Sequence, residues 1–315
     1  MAREKKRKHL KEGIRVLLAI LLAATCLVGL FALGLLFAFT RLPDVSVMKK
    51  CVRTSMYGVD LCPSSSKFAK LSEVSPTFLQ ALVQTEDASF YAHNGFDFNE
   101  VRNSLRTNLQ LGTSARGAST ITQQLAKNVF LSPEKTMQRK FLEAYLTTQI
   151  EKKFSKAEIL ERYINVVEFG EQIYGVKAAS QFYFSKSPSK LNSLESAFLV
   201  MLLPNPKKYS ASFRAKKLTD FDKSRIRLIT QRLFKSGRIS ELEYRWSKRH
   251  IEDFPWRGIP TAHEEVFESG EWSFADDENV EVIEDESFEE EVAPRFEPEN
   301  SGLSIEDEIK HETGD

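Results

Sequence analysis

Cysteine and histidine are scarce in this 315-residue chain, which has three of the first and five of the second. No Cys-x-x-Cys pair or histidine-rich cluster occurs, which argues against a zinc site. Also missing is any run of alternating apolar residues long enough for a large sheet, so a mainly α architecture is expected. Net charge is absent only formally. Residues 261–315 hold 21 Asp and Glu against 2 Lys and Arg, a net of −19, which leaves +19 on residues 1–260. The basic part could face nucleic acid, anionic lipid or a phosphorylated substrate, and charge alone does not choose among them.

Charge is missing again over residues 16–39, a strongly apolar run of 24 residues. As a helix it would measure roughly 36 Å, enough to cross a hydrocarbon core of about 30 Å with some tilt. A signal-peptide core is shorter, about 7–15 residues, and Phe39-Thr40-Arg41 is a poor small-residue cleavage site, so a retained anchor is expected. Seven basic residues among the first 15 place the N-terminus in the cytoplasm and the remainder outside. In such a compartment Cys51 and Cys62, flanking a short polar stretch with Tyr57-Gly58, are expected to close one disulfide, with two unpaired thiols as the alternative. Cys26 lies within the apolar run, where a small apolar residue suffices.

From Lys67 onward the chain reads as successive helices. Ser75-Pro76 starts one that delivers Glu86 near its end, and residues 99–111 form a second with Gly112 as its stop. Ser119 or Thr120 caps a third through Phe130, and residues 136–153 make a longer fourth. Ser155 with Glu158 has capping-box spacing. Residues 193–203 form a hydrophobic helix ended by Pro204-Asn205-Pro206, and residues 221–235 and 240–249 supply two more. Beyond about Pro255 no helical stripe persists, and that acidic segment is expected to be disordered.

The polar residues of the middle region can be read in two ways. Glu86-Asp87 lies beside aromatics and His93, where burial would raise a carboxyl pKa as a general base requires, although such pairs are common on solvated surfaces. Arg139 and Glu143 share a helix face with Lys140 three residues from Glu143, which by itself is an ordinary surface ion pair. Ser119, Thr120, Thr122, Gln123, Gln124, Lys127 and Asn128 need partners if buried, so they mark an exposed helix or the wall of a polar cleft.

In order, these blocks resemble the five signature regions of the peptidoglycan glycosyltransferases, lysozyme-like enzymes found alone or as the N-terminal domain of bifunctional penicillin-binding proteins. The first is matched by Glu86-Asp87, Phe90, His93 and Gly95, the second by Gly117 and Ser119 to Gln124 with Lys127-Asn128, and the third by Arg139-Lys140 and Glu143. Lys156, Ile159-Leu160-Glu161, Tyr163 and Asn165 match the fourth, with Ile164 where leucine is more usual. The fifth resembles Gly175 to Phe184 with Glu195 to Pro206, and the whole covers roughly residues 70–250. No Ser-x-x-Lys transpeptidase motif with adequate following length exists, which makes transpeptidation unexpected.

The resemblance implies a lysozyme-like helical catalytic domain over residues 70–255, behind a basic cytoplasmic tail (1–15), a transmembrane helix (16–39) and a membrane-proximal linker (40–69), with the acidic tail at 256–315. It implies that Glu86 is the base deprotonating the 4-hydroxyl of the acceptor sugar on lipid II, and that Glu143 is a second essential carboxylate that orients cations or helps bind Mg²⁺ or Mn²⁺. Lys127, Arg139 and Lys140 would stabilise the departing diphosphate, and Asp87, Ser119, Thr120, Gln123, Gln124 and Asn128 would bind substrate. Implied partners are lipid II, the nascent glycan strand, the membrane, and penicillin-binding transpeptidases with divisome or elongation proteins, but no nucleic acid. The implied location is the bacterial cytoplasmic membrane with the catalytic domain periplasmic. In the family a small subdomain dips into the bilayer, and residues 96–116 would supply it here. A membrane-anchored lytic transglycosylase and a non-catalytic cell-wall scaffold are the alternatives.

Overall fold

A computed structural model describes residues 18, 20–30, 33–34, 42–111, 117–134, 136–254 and 256. The chain divides into two units, residues 1–45 and 46–315. In the first, residues 20–30 are helical. Among the described residues no helix is long and apolar enough to cross a membrane, and parts of the expected span, residues 16–17 and 35–39, lie outside them. The basic tail, Gly112 and nearly all of the acidic tail also lie outside the described residues.

The second unit is mainly helical. It opens with a small antiparallel hairpin, β1 (Val52–Arg53) and β2 (Asp60–Leu61), with Val52 opposite Leu61. Cys51 and Cys62 close that hairpin as a disulfide. Helices α1 (Pro76–Glu86), α2 (Phe98–Leu111), α3 (Ile121–Phe130), α4 (Met137–Lys153) and α5 (Lys156–Val166) follow at nearly the places the caps predict. Thr120, not Ser119, is the N-cap of α3, and its hydroxyl accepts from the Gln123 N–H. A second hairpin, β3 (Glu168–Gly170) with β4 (Ile173–Tyr174), leads into α6 (Val176–Phe184), which the sequence reading does not resolve as a helix. After it come α7 (Ser193–Leu202), two short helices α8 (Pro206–Tyr209) and α9 (Ala211–Ala215), then α10 (Asp220–Lys235) and α11 (Glu241–Glu252).

Helix α7 is buried along its whole length, so it forms the axis of the core, and α1, α10 and α11 pack around it. A helix apolar on all sides is stable only when wrapped in this way. Phe198 of α7 meets Tyr183 of α6, and Phe78 of α1 meets Phe169 of β3. On the other side α3 packs against α4 and α5, which brings the polar face of α3 toward the end of α1.

Two fourth-region residues turn out to be fasteners. The Asn165 side chain accepts from the Ala69 N–H at 2.7 Å and donates to the Ala69 carbonyl at 2.8 Å, while Glu161 accepts from the Leu71 N–H at 3.0 Å. Together they pin the segment leading into α1 against α5.

Candidate active site

Glu86 is the last residue of α1, half-buried, with Oε2 accepting a hydrogen bond from Gln124 Nε2 at 2.9 Å. Gln124 is oriented in turn by Tyr163 of α5, whose hydroxyl donates to Gln124 Oε1 at 2.9 Å. Because the Gln124 oxygen faces Tyr163, its N–H₂ must face the carboxylate. Burial raises the Glu86 pKa, and the Gln124 hydrogen bond, then Arg225 and Lys127, pull it partly back. A carboxylate of raised pKa with some exposure suits a general base that must meet substrate.

Asp87 behaves differently from the expectation that it binds substrate. It is 7% exposed, Oδ2 accepts from the Ile121 N–H at 2.9 Å, and Oδ1 lies 2.8 Å from His93 Nε2. Since His93 Nδ1 accepts from the Gly95 N–H at 3.1 Å, the Nε2 proton points at Asp87. Asp87 thus holds the positive end of α3 in place and spends both oxygens doing so. Thr120 and Gln123 are similarly internal. They form a reciprocal capping box, and the Thr120 hydroxyl donates to the Gly95 carbonyl at 2.8 Å. These three residues build the site instead of lining it, whereas Ser119 is exposed just before the cap. Gly95 sits where it must: its φ is +92°, and a Cβ there would meet Thr147 Cγ2 at 2.7 Å.

The third-region residues form one cluster on α4. Glu143 is 3% exposed, and its two oxygens accept from Arg139 Nη1 at 3.2 Å and Lys140 Nζ at 2.5 Å. The surface-pair reading therefore fails for Glu143, since its carboxylate is buried. Lys127 reaches this cluster from α3. Burial lowers its pKa, Glu143 opposes that, and Arg139, Lys140 and Glu86 also act on it. Lys127 thus lies electrostatically between the two carboxylates, with cations enough beside it to receive an anionic leaving group. Asn128 is 2% exposed and its Oδ1 has no hydrogen-bond partner, nor has the buried Arg139 Nε.

Glu143 does not fit a resident metal. Both of its oxygens are committed to cations, and no group of three His, Cys, Asp or Glu that could hold an ion occurs among the described residues.

Two residues near the base carry roles that the sequence reading did not assign. Tyr163 falls on the buried stripe with Ile159 and Leu160, where periodicity reads it as core. Arg225 of α10 acts electrostatically on Glu86, and burial lowers its own pKa. It belongs to a helix dense in Lys and Arg, so no local pattern singles it out.

A helical domain with a half-buried carboxylate of raised pKa, a polar helix held end-on by a second carboxylate, and an adjoining cation cluster has the groups that a transferase-type or hydrolase-type active site needs. The Transglycosylase family model matches residues 57–233, more than half of the chain. Proteins named biosynthetic peptidoglycan transglycosylase are similar to it. The one from Bdellovibrio bacteriovorus is 39% identical over 175 residues, 56% of this chain and 70% of that protein. Those from Acinetobacter baylyi and Azoarcus are 44% and 42% identical over 147 and 156 residues, 47% and 50% of this chain and 66% and 68% of those proteins. The chain belongs to the transglycosylase family.

Proposed function

We propose a mechanism in which Glu86 and the α3–α4 cations divide the work of glycan transfer. The protein is a peptidoglycan glycosyltransferase that polymerises glycan chains. In our reading it transfers the growing undecaprenyl-diphosphate-linked glycan to the 4-hydroxyl of lipid II, on a lysozyme-like helical fold. Glu86 takes the hydroxyl proton as the oxygen attacks C1, inverting the anomeric centre and giving a β-1,4 linkage. The C1–O bond to the diphosphate breaks, and negative charge develops on the departing oxygen. Lys127, Arg139 and Lys140 are placed to stabilise it, Arg139 through a planar fork matched to phosphate oxygens. Glu143 holds Arg139 and Lys140 in place. A well-placed base contributes about 10²–10⁴ in rate, so the cations must supply much of the remainder.

The observation that carries this reading is the Tyr163–Gln124–Glu86 relay beside the Lys127–Glu143 cluster. Membrane attachment is also proposed. Leu21, Leu22, Leu27, Val28 and Leu30 are 54–68% exposed in the first unit, in a run that would suit lipid. In the second unit Phe98, Val101, Leu105 and Leu109 of α2 are 45–76% exposed, and Met137 and Phe141 of α4 are 73% and 72% exposed. These apolar faces support a membrane contact for this part of the catalytic domain, with the domain periplasmic and the substrate reached from the bilayer.

The test is incubation of full-length, detergent-solubilised protein with labelled lipid II, with Glu86→Gln alongside and products resolved by length. Polymer from the wild type and none from the variant is expected. Cleavage of preformed peptidoglycan without polymer would replace this reading with a lytic one, and neither activity in folded protein would favour a scaffold.

A further inference from the structure

Trp256, the last of the described residues, fixes where the acidic segment begins. Its ring meets Phe198 of α7 and Phe213 of α9 edge-on, with centroids 5.6 Å apart in each case. Lys216, directly after α9, holds its ammonium over the same Phe213 and Trp256 rings, 3.2 and 5.4 Å from their centroids. Phe182 of α6 also touches Phe213, with centroids 5.3 Å apart, and is half-exposed. Residues 257–315 therefore set out from a point beside α9.

The surface there is basic. Residues 207–217 hold five Lys and Arg and no Asp or Glu, and all five basic side chains are exposed. Lys207 acts electrostatically on Glu168, and Arg214 donates to the Ser210 hydroxyl at 3.2 Å. No ion pair among the described residues includes Lys208 or Lys217. Those two lysines edge a cavity of 450 Å³, whose wall also carries Tyr209 and Phe221, stacked with centroids 5.2 Å apart. Binding pockets commonly measure about 300–1,000 Å³. The one carboxylate on this wall, Asp222, is turned inward: it is 2% exposed, and its Oδ2 accepts from the Ser212 hydroxyl and from the Thr219 N–H and hydroxyl at 2.9 and 2.7 Å. An aromatic wall under a positive rim fits an acidic segment that carries aromatic side chains.

We infer that residues 264–278 of this same chain dock on the α8–α9 face, with Trp272 and Phe274 against the Tyr209–Phe221 wall and the flanking carboxylates against Lys208 and Lys217. That stretch holds seven Asp and Glu, no Lys or Arg, and the only tryptophan beyond Trp256. The connection reaches easily. Residues 257–263 cover up to roughly 23 Å when extended, whereas α9 is only about 8 Å long. So short a tether holds the segment near its site at an effective concentration of about a millimolar, and a weak contact then suffices. Exposed ion pairs contribute little each, so the aromatic anchors supply most of the attraction while the charges select the face. The contact does not depend on the polymerase reading.

The experiment treats full-length, detergent-solubilised protein with a carbodiimide, which joins a carboxylate to a lysine amine only where the two touch, and maps the links by mass spectrometry. An equal mixture of isotope-labelled and unlabelled protein separates links within one copy from links between copies. Links within one copy from residues 264–278 to Lys208 and Lys217 are expected about tenfold more often than to Lys190 and Lys235, the excess of a docked over a loose tether. Those two reference lysines are also exposed, and Lys235 lies at the far end of α10, roughly 22 Å from its start. Trp272→Ala combined with Phe274→Ala should cut the Lys208 and Lys217 links by about tenfold, the scale of losing one buried aromatic anchor. Both substitutions lie beyond Trp256 and leave the helices of the domain unaltered. Salt at about 1 M, where the Debye length is about 3 Å, should reduce the same links. Links spread evenly over the exposed lysines, links between copies only, no links from this segment, or links unchanged in the double variant would each overturn the docking.

Discussion

Replacing Gln124 with leucine isolates what the relay does for the base. In the folded protein the Gln124 amide donates to Glu86 at 2.9 Å and is held in that orientation by Tyr163. The bond favours the ionised carboxylate and opposes the upward push of burial. A hydrogen bond to a charged group is worth about 1.5–3 kcal/mol, so removing it should raise the Glu86 pKa further. The base works only when ionised, so the acid limb of the kcat/KM profile should move to higher pH. Tyr163→Phe should move it the same way by less, since the amide remains but is free to turn. Polymerisation rates between pH 5 and 9 at low lipid II give the profile, and the plateau at high pH separates this effect from lost substrate contact. An acid limb that stays in place, or that moves down in Gln124→Leu, would refute the relay.

The other predictions test neighbouring parts of the argument. Glu86→Gln should abolish polymerisation yet raise Tm at neutral pH: a carboxyl whose folded pKa is raised binds its proton more tightly in the folded state, so wild-type stability falls as pH climbs through that window, and the amide is spared this. Gly95→Ala should cost about 2–4 kcal/mol by denaturant melting, because the residue has φ +92° and the new methyl meets Thr147 Cγ2 at 2.7 Å. Reducing the Cys51–Cys62 bridge, with a sequence separation of 11, should lower stability by up to roughly 3 kcal/mol in a chain-entropy account, and Cys51→Ser should melt at the same temperature with or without reductant. Changing Phe98, Leu105 and Leu109 together to serine should cut binding of the full chain to lipid vesicles while leaving Tm unchanged, since these side chains are 59–76% exposed; unchanged vesicle binding would remove α2 from the membrane contact.

Much of this protein was determined by local sequence. Thr120 with Gln123, Ser155 with Glu158 and Asn192 with Glu195 each close a capping box, because both partners lie within one turn and need nothing distant. The cysteine pair was legible for the same reason, since a short polar stretch can return on itself. Residue spacing also brought Arg139 and Lys140 to Glu143, within a single helix. What no local pattern could decide was which polar residues face substrate. Asp87 stands next to Glu86 in the chain, but rotation at the end of α1 sends one carboxylate to the N-terminus of α3 and leaves the other for Gln124. Nor could spacing show that Glu143 is buried or that Tyr163 steers Gln124. Burial and hydrogen-bond partnership across 30 to 40 residues of sequence are products of packing, and they alone turn a common residue type into a base or a clamp.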